Sequence, residues 1–94
     1  MNTLCIPKVT AATTSAYIQT IWKQTQLGPI VQYTELPWKH DQAHKRILLK
    51  VAWNTDHPHH AAYQEILNAG HYISIVHKFP SEWRVFLAKN WTRR

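Results

Sequence analysis

The chain has 94 residues, of which 45% are hydrophobic and 17% are charged, so its composition excludes a disordered protein and predicts one globular domain over residues 1–94. Eleven Lys and Arg residues against five Asp and Glu residues give a formal net charge of +6, which favours a polyanionic partner such as nucleic acid. Because Cys5 is the single cysteine, an intramolecular disulfide and a zinc site built from cysteines of one chain are excluded.

The first half of the chain is predicted to form a strand, a helix and a second strand. The segment "TLCIPKV" has the composition of a strand. In "SAYIQTIWKQTQLG" apolar residues recur at helical spacing, and hydroxyl side chains at positions 13–15 can cap the helix. Gly28 is predicted to end this helix in a left-handed conformation, because Pro29 cannot continue it. The strand "PIVQYTEL" then follows.

The second half repeats this order and adds one more strand. "RILLKVAW" alternates as a strand does, and "HPHHAAYQEILNAG" is predicted to form a helix from near Pro58 to Gly70. The strand "HYISIVH" comes next. After the turn "FPSE", the segment "WRVFLAKN" could form a hairpin with it and add a fifth strand at an edge of the sheet. The inward face of "RILLKVAW" is predicted to carry Ile47, Leu49, Val51 and Trp53.

Two strand–helix–strand halves in so short a chain predict an α+β fold. The expected plan is ferredoxin-like, βαββαβ, with an antiparallel sheet and both helices on one face. The first strand is central in this plan, yet it contains Pro7. Because proline cannot donate a hydrogen bond to the ladder, we expect the first strand to end at about Ile6.

The segments that follow carry a resemblance to a known group: "LCIPKV", "TSAYIQTIWKQTQLGPIVQ", "RILLKVAW", "ILNAG" with "HYISIVH", and "WRVFLAKN". They resemble those of the small RRM-like proteins encoded by giant nucleocytoplasmic large DNA viruses. The likeness runs over roughly residues 4–90, and it implies an RRM-like fold and a viral origin. Because the biochemical roles of that group are poorly defined, it implies little about mechanism.

An RRM binds RNA by stacking bases on aromatic side chains of its two central strands. When the longer RNP motif is aligned with this chain, its two aromatic positions fall on Arg46 and Leu48, and the equivalent position of the first strand is Cys5. Without these rings, we expect sequence-independent phosphate contacts to DNA or RNA rather than base stacking. The alternative is a solvated face whose lysines discourage aggregation. The candidate nucleic-acid-binding residues are Lys8, Lys39, Lys45, Arg46, Lys50 and Arg84.

The same face of the predicted sheet suggests a second hypothesis. A sheet without stacking rings could be covered by a second copy of the chain, and two-fold homodimers are the commonest oligomers. We therefore expect a homodimer that pairs through this face or through the final strand, with contacts from Cys5, Leu48, Trp83 and Phe86. In the alternative function, the dimer is a protein-interaction or virion structural module, and its basic charge only aids packing beside a genome.

Other chemistry has weaker support in the sequence. His57, His59 and His60 with Asp56 offer zinc or copper ligands, but their spacing does not place them on one helix face, so no metal site is predicted. Nucleophile contexts and Gly-rich phosphate loops are lacking, and the acidic residues are scattered singly, so we expect neither an enzyme nor a cofactor. Because no signal peptide or membrane span is recognised, the expected location is intracellular, in host cytoplasm, viral factory or virion.

Overall fold

The computed structural model describes residues 2–78 and 81–90, which form an α+β fold compatible with a ferredoxin-like arrangement. Five strands form one antiparallel sheet over the described residues, and two helices pack on it. The strands are β1 (Asn2–Thr10), β2 (Ile30–Pro37), β3 (His44–Val51), β4 (Ile73–Lys78) and β5 (Ser81–Leu87). The helices are α1 (Ser15–Thr25) and α2 (His60–Asn68), and a 3-10 turn covers Ala88–Asn90.

The hydrophobic core lies between one face of the sheet and the two helices. Leu4 of β1 pairs with Leu49 of β3 and with Leu87 of β5, and all three side chains are buried. Helix α1 adds Trp22 and its neighbours to this cluster, and α2 adds Leu67. Because both helices contribute to one cluster, they lie on the same face of the sheet, as predicted. The opposite face is called the open face below.

The order of the strands differs from the predicted one at the end of the chain. The sheet order is β2-β3-β1-β5-β4. The predicted hairpin of the last two strands is present, but β5 pairs with β1 and β4 forms the edge. Strand β5 carries apolar side chains on both faces, Val85 toward the core and Phe86 toward the open face, which suits an interior strand. On β4, Ser74 and Val76 are exposed, which suits an edge.

Strand β1 continues past its proline. The predicted end at about Ile6 was wrong, because β1 runs to Thr10. The register with β3 shifts after Ile6, so that Pro7 and Lys8 together lie opposite Arg46. This is a β-bulge, which leaves one residue unpaired and so accommodates a residue that has no N–H to donate. Toward β5, β1 pairs at Leu4 and Cys5 among the described residues.

The ends of the helices partly match their predicted signals. The Thr14 hydroxyl accepts a hydrogen bond from the Tyr17 N–H at 3.1 Å and caps α1. Gln26, with φ of 58°, takes the left-handed position after α1, so the assignment of that position to Gly28 was wrong. Gly70, with φ of 89°, follows the end of α2 as predicted. Neither helix of the described chain is long and apolar enough to cross a lipid bilayer.

Candidate nucleic-acid interface

An apolar row crosses the middle of the open face. Cys5 pairs with Leu48 of β3 and with Phe86 of β5, so these three side chains lie side by side. Tyr72, which directly precedes β4, extends the row, and its ring centroid lies 5.4 Å from that of Phe86. Cys5 is 1% exposed, whereas Tyr72 is 39% exposed. The apolar row is therefore most accessible at its β4 end.

Cationic side chains lie on both sides of the apolar row. Side chains two residues apart on a strand share a face, so Arg46 and Lys50 flank Leu48 on β3. For the same reason Arg84, two residues before Phe86 on β5, also lies on the open face. Arg46 and Lys50 are four residues apart, which corresponds to about 13 Å at roughly 3.3 Å per residue. Lys50 and Arg84 are exposed and Arg46 is half-buried. A polyanion that lay on the open face could contact cations on either side of the row.

Trp38 holds Arg46 beside the bulge of β1. The guanidinium carbon of Arg46 lies 5.1 Å from the centroid of the Trp38 ring, and the indole N–H donates to the carbonyl oxygen of Pro7 at 2.8 Å. Arg46 Nε is buried without a hydrogen-bond partner among the described residues. A buried donor left unpaired costs about 1–3 kcal/mol. Because this nitrogen is buried, a phosphate oxygen could accept from it only if the guanidinium moved first.

A second cation–aromatic pair lies on the same open face, near the β4 edge of the sheet. The guanidinium carbon of Arg84 lies 4.9 Å from the centroid of the Tyr72 ring. Tyr72 was not among the predicted site residues, because the RNP motif places stacking rings on the first and third strands. The register of β4 with β5, in which Ile73 pairs with Val85, brings Tyr72 next to Phe86. The open face therefore does carry aromatic rings, although they lie outside the positions of the RNP motif.

Lys45 lies on the other side of the sheet from the remaining β3 cations. Its Nζ donates to the backbone oxygen of Thr13 at 2.6 Å and to Glu35 Oε1 at 2.9 Å. The hydrogen bond from Tyr33 holds the pKa of Glu35 below its usual value, and Lys45 acts in the same direction against the effect of burial. Because successive side chains on a strand point to opposite faces, Lys45 lies on the helix-facing side of the sheet and Arg46 on the open face. The contacts of Lys45 therefore stabilise the helix-facing side.

Replacement of Lys45 should therefore separate folding from binding. We expect Lys45→Gln to lower the free energy of unfolding by about 1 kcal/mol and to leave the affinity for nucleic acid unchanged. Lys50→Gln, which removes the same charge from the open face, should weaken nucleic-acid binding and leave the free energy of unfolding unchanged. The pKa of Glu35 is lowered in the folded protein, first by the hydrogen bond from Tyr33 and then by Lys45. The contribution of the ionised carboxylate should therefore be complete above the ordinary carboxyl pKa and be lost as the pH falls below it through the lowered folded value. Chemical denaturation at pH 7 and pH 3, with binding at one salt concentration, checks both statements, and equal losses of affinity would contradict them.

The other two predicted cations lie near the bulge and in a loop. Lys8 is exposed in the bulge opposite Arg46, and Lys39 is exposed in the loop between β2 and β3. Partial burial raises the pKa of Asp41 in the same loop, but hydrogen bonds and the charges of His44 and Lys8 hold it below its usual value. This loop therefore presents an ionised carboxylate close to Lys8, which reduces the positive potential there.

The predicted dimer contacts are divided between the two faces. Cys5, Leu48 and Phe86 lie together in the apolar row, whereas Trp83 faces the helices and is 6% exposed. Its ring stacks on that of His77 at 4.2 Å. Burial raises the pKa of the Cys5 thiol to about 11, although the charge of Arg46 opposes this effect, so the thiol stays protonated near neutral pH. Three of the four predicted contacts thus lie on one face of the sheet, but only Leu48 and Phe86 are partly exposed there, because Cys5 is already buried.

The histidine-rich segment forms a turn before α2. The helix begins at His60 rather than near Pro58, and the His57 Nδ1 accepts a hydrogen bond from the His59 N–H at 3.0 Å. In the part of the chain that the structure describes, no three His, Cys, Asp or Glu side chains are grouped so that they could hold a metal ion.

The chain matches no protein-family model, no curated protein and no solved structure. The resemblance to small RRM-like proteins of giant viruses therefore stays a prediction, and a function must be argued from the fold and from the placement of its side chains.

Proposed function

We propose that the protein binds nucleic acid through the open face, in an RRM-like use of its sheet that relies on phosphate contacts. The observation that carries the proposal is the placement of Arg46, Lys50 and Arg84 on one face, around an apolar row and in a chain with net charge +6. Glu82, near the far end of β5, is an acidic side chain on the same face. The balance of charge on the open face therefore favours an anionic ligand.

Phosphate contacts have a measurable signature. Each neutralised phosphate releases condensed counterions, so the logarithm of the binding constant falls linearly with the logarithm of the salt concentration. Three contacts to a duplex would give a slope of about −2.7, and contacts to a single strand would give a shallower one of about −2. Such contacts supply affinity without sequence preference, because every nucleotide carries the same phosphate.

A salt titration tests the proposal. Fluorescence anisotropy with labelled single strands and duplexes, between about 50 and 200 mM salt, should show steeply falling affinity for the wild-type protein. The double variant Arg46→Ala/Lys50→Ala should have a shallower slope, reduced by about two contacts. Lys23→Ala removes an exposed lysine from α1, on the other side of the sheet, and should leave the slope as it is. Absence of binding to both ligands at 50 mM salt would refute the proposal.

A homodimer that covers the open face is the second candidate. It is favoured by the placement of the half-buried Leu48 and Phe86 on either side of the buried Cys5, since partly exposed apolar residues on one face are typical of an interface core. Light scattering would then give a mass twice the 11.1 kDa of one chain. If nucleic acid uses the same face, added oligonucleotide should dissociate the dimer, and a dimer that persists at saturating nucleic acid must use another surface.

A further inference from the structure

Tyr72 and Phe86 form an aromatic pair at the β4 end of the apolar row. Their ring centroids are 5.4 Å apart and the planes are tilted by 48°. Neither ring belongs to the hydrophobic core, and 39% of the Tyr72 surface is exposed while Phe86 is half-buried. A large ring held against a second ring at the surface offers a preformed apolar platform to a ligand.

A cation accompanies this platform. The guanidinium of Arg84 lies 4.9 Å from the centroid of Tyr72, and Arg84 is itself exposed. A planar ligand can therefore stack on the exposed part of the phenol ring, and the guanidinium beside the ring can pair with an anionic group of that ligand. A nucleotide combines these two features, because it carries a planar base and a phosphate.

The charge around the apolar row favours this occupant over an apolar protein surface. Arg46 and Lys50 lie beside the row on β3, and Arg84 lies beside it on β5. An apolar partner that covered the row would have to take these cations out of water without offering them an anion, which is costly. A nucleic acid places phosphates beside its bases and so satisfies the cations while the bases meet the rings.

We infer that the open face prefers single-stranded to double-stranded nucleic acid, and that a base stacks on the group formed by Tyr72, Phe86 and Arg84. The inference rests on the proposed nucleic-acid function and names its substrate class. In a duplex the faces of the bases are stacked on each other, whereas an unpaired strand can offer them to protein rings. Because every base has such a face, the preference concerns strandedness and is tolerant of sequence.

The test compares variants at Tyr72 on matched ligands. Single strands and duplexes of the same length, as DNA and as RNA, are titrated at one low salt concentration. Tyr72→Leu keeps an apolar side chain but removes the ring, and it should weaken single-strand binding by about 5- to 150-fold while duplex binding changes less than about twofold. Tyr72→Phe keeps the ring and should bind as the wild type does. Phe86→Leu is the second ring variant, and it should reproduce the selective loss to a smaller extent because Phe86 is less exposed.

The outcomes separate the inference from the function on which it rests. Wild-type binding that is equally tight for both forms, or an equal loss for both forms in Tyr72→Leu, overturns the inference and leaves the phosphate-binding function intact if the salt slope is steep. Absence of binding to any ligand at low salt overturns both. The selective loss is expected with DNA and with RNA, since both present the same faces of their bases, and a measured free energy of unfolding confirms that each variant is folded.

Discussion

Gly28→Ala should lower the free energy of unfolding by more than about 3 kcal/mol, a large part of the stability of a domain of this size. A Cβ atom at this position would overlap with the carbonyl oxygen of Ala52 and lie 2.9 Å from its carbonyl carbon. The φ angle of Gly28 is 143°, a conformation that residues with a side chain rarely adopt. The substitution therefore adds a steric overlap to backbone strain.

The surrounding hydrogen bonds prevent easy relief of that overlap. On either side of Gly28, the oxygen of Leu27 accepts from the N–H of Asn54 at 2.7 Å, and the oxygen of Pro29 accepts from the N–H of Ala52 at 3.2 Å. The Trp22 indole N–H also donates to the Gly28 oxygen at 2.8 Å. A shift of either segment would break bonds that join the end of α1 to the end of β3, and buried groups left unpaired are costly.

Gly70→Ala is the matched control for this prediction. Gly70 has a positive φ of 89°, but a Cβ atom there would meet nothing within 4 Å. Its replacement should therefore cost only the strain of a left-handed residue, about 1–2 kcal/mol. Urea denaturation of both variants gives the comparison, and a cost at Gly28 no greater than that at Gly70 would contradict the close approach to Ala52.

These two glycines show which part of the fold the sequence could predict. Both follow an amphipathic helix, and both were predicted to end one. The prediction is right at Gly70, whereas Gln26 takes the left-handed position after α1 and Gly28 meets a segment more than twenty residues further along the chain. Local patterns determine where a helix stops, but they contain no information about which distant backbone approaches it.

The same limit applies to the sheet. Alternation and helical spacing predicted the five strands and two helices in their order along the chain, although not the end of β1, because those signals depend on neighbours in the sequence. The pairing of β1 with β5 instead of β4 was not predicted, because the choice of a neighbouring strand depends on burial of both faces of that strand. The presence of Phe86 between the inward residues Val85 and Leu87 was the available signal that β5 lies in the interior.

For the candidate site, strand alternation in the sequence was sufficient to predict which face of the sheet each β3 cation occupies. It places Arg46 and Lys50 together on the open face, as predicted, and it places Lys45 on the other face, which the prediction overlooked. Tyr72 could not be found in this way, because its position depends on the register between β4 and β5 and on the entry of β5 beside β1.

Trp38→Ala should weaken nucleic-acid binding about tenfold at low salt, as much as removal of the Arg46 side chain itself, and should lower the free energy of unfolding by about 2 kcal/mol. The indole is half-buried, supports the Arg46 guanidinium and donates to Pro7 at the bulge. Without it, Arg46 loses the surface that orients it, and the bulge loses a hydrogen bond. Trp38→Phe keeps a ring under the guanidinium and should retain most of the affinity while losing about 1 kcal/mol of stability.

A double-mutant cycle decides whether Trp38 acts through Arg46. If it does, the combined variant Trp38→Ala/Arg46→Ala should bind nucleic acid about as weakly as either single variant, because the second change removes nothing further. Losses that add in the double variant would mean that Trp38 contacts the ligand independently. The salt slope gives a second criterion: Trp38 is uncharged, so its replacement can lower the slope only by displacing the charge of Arg46 from the phosphate.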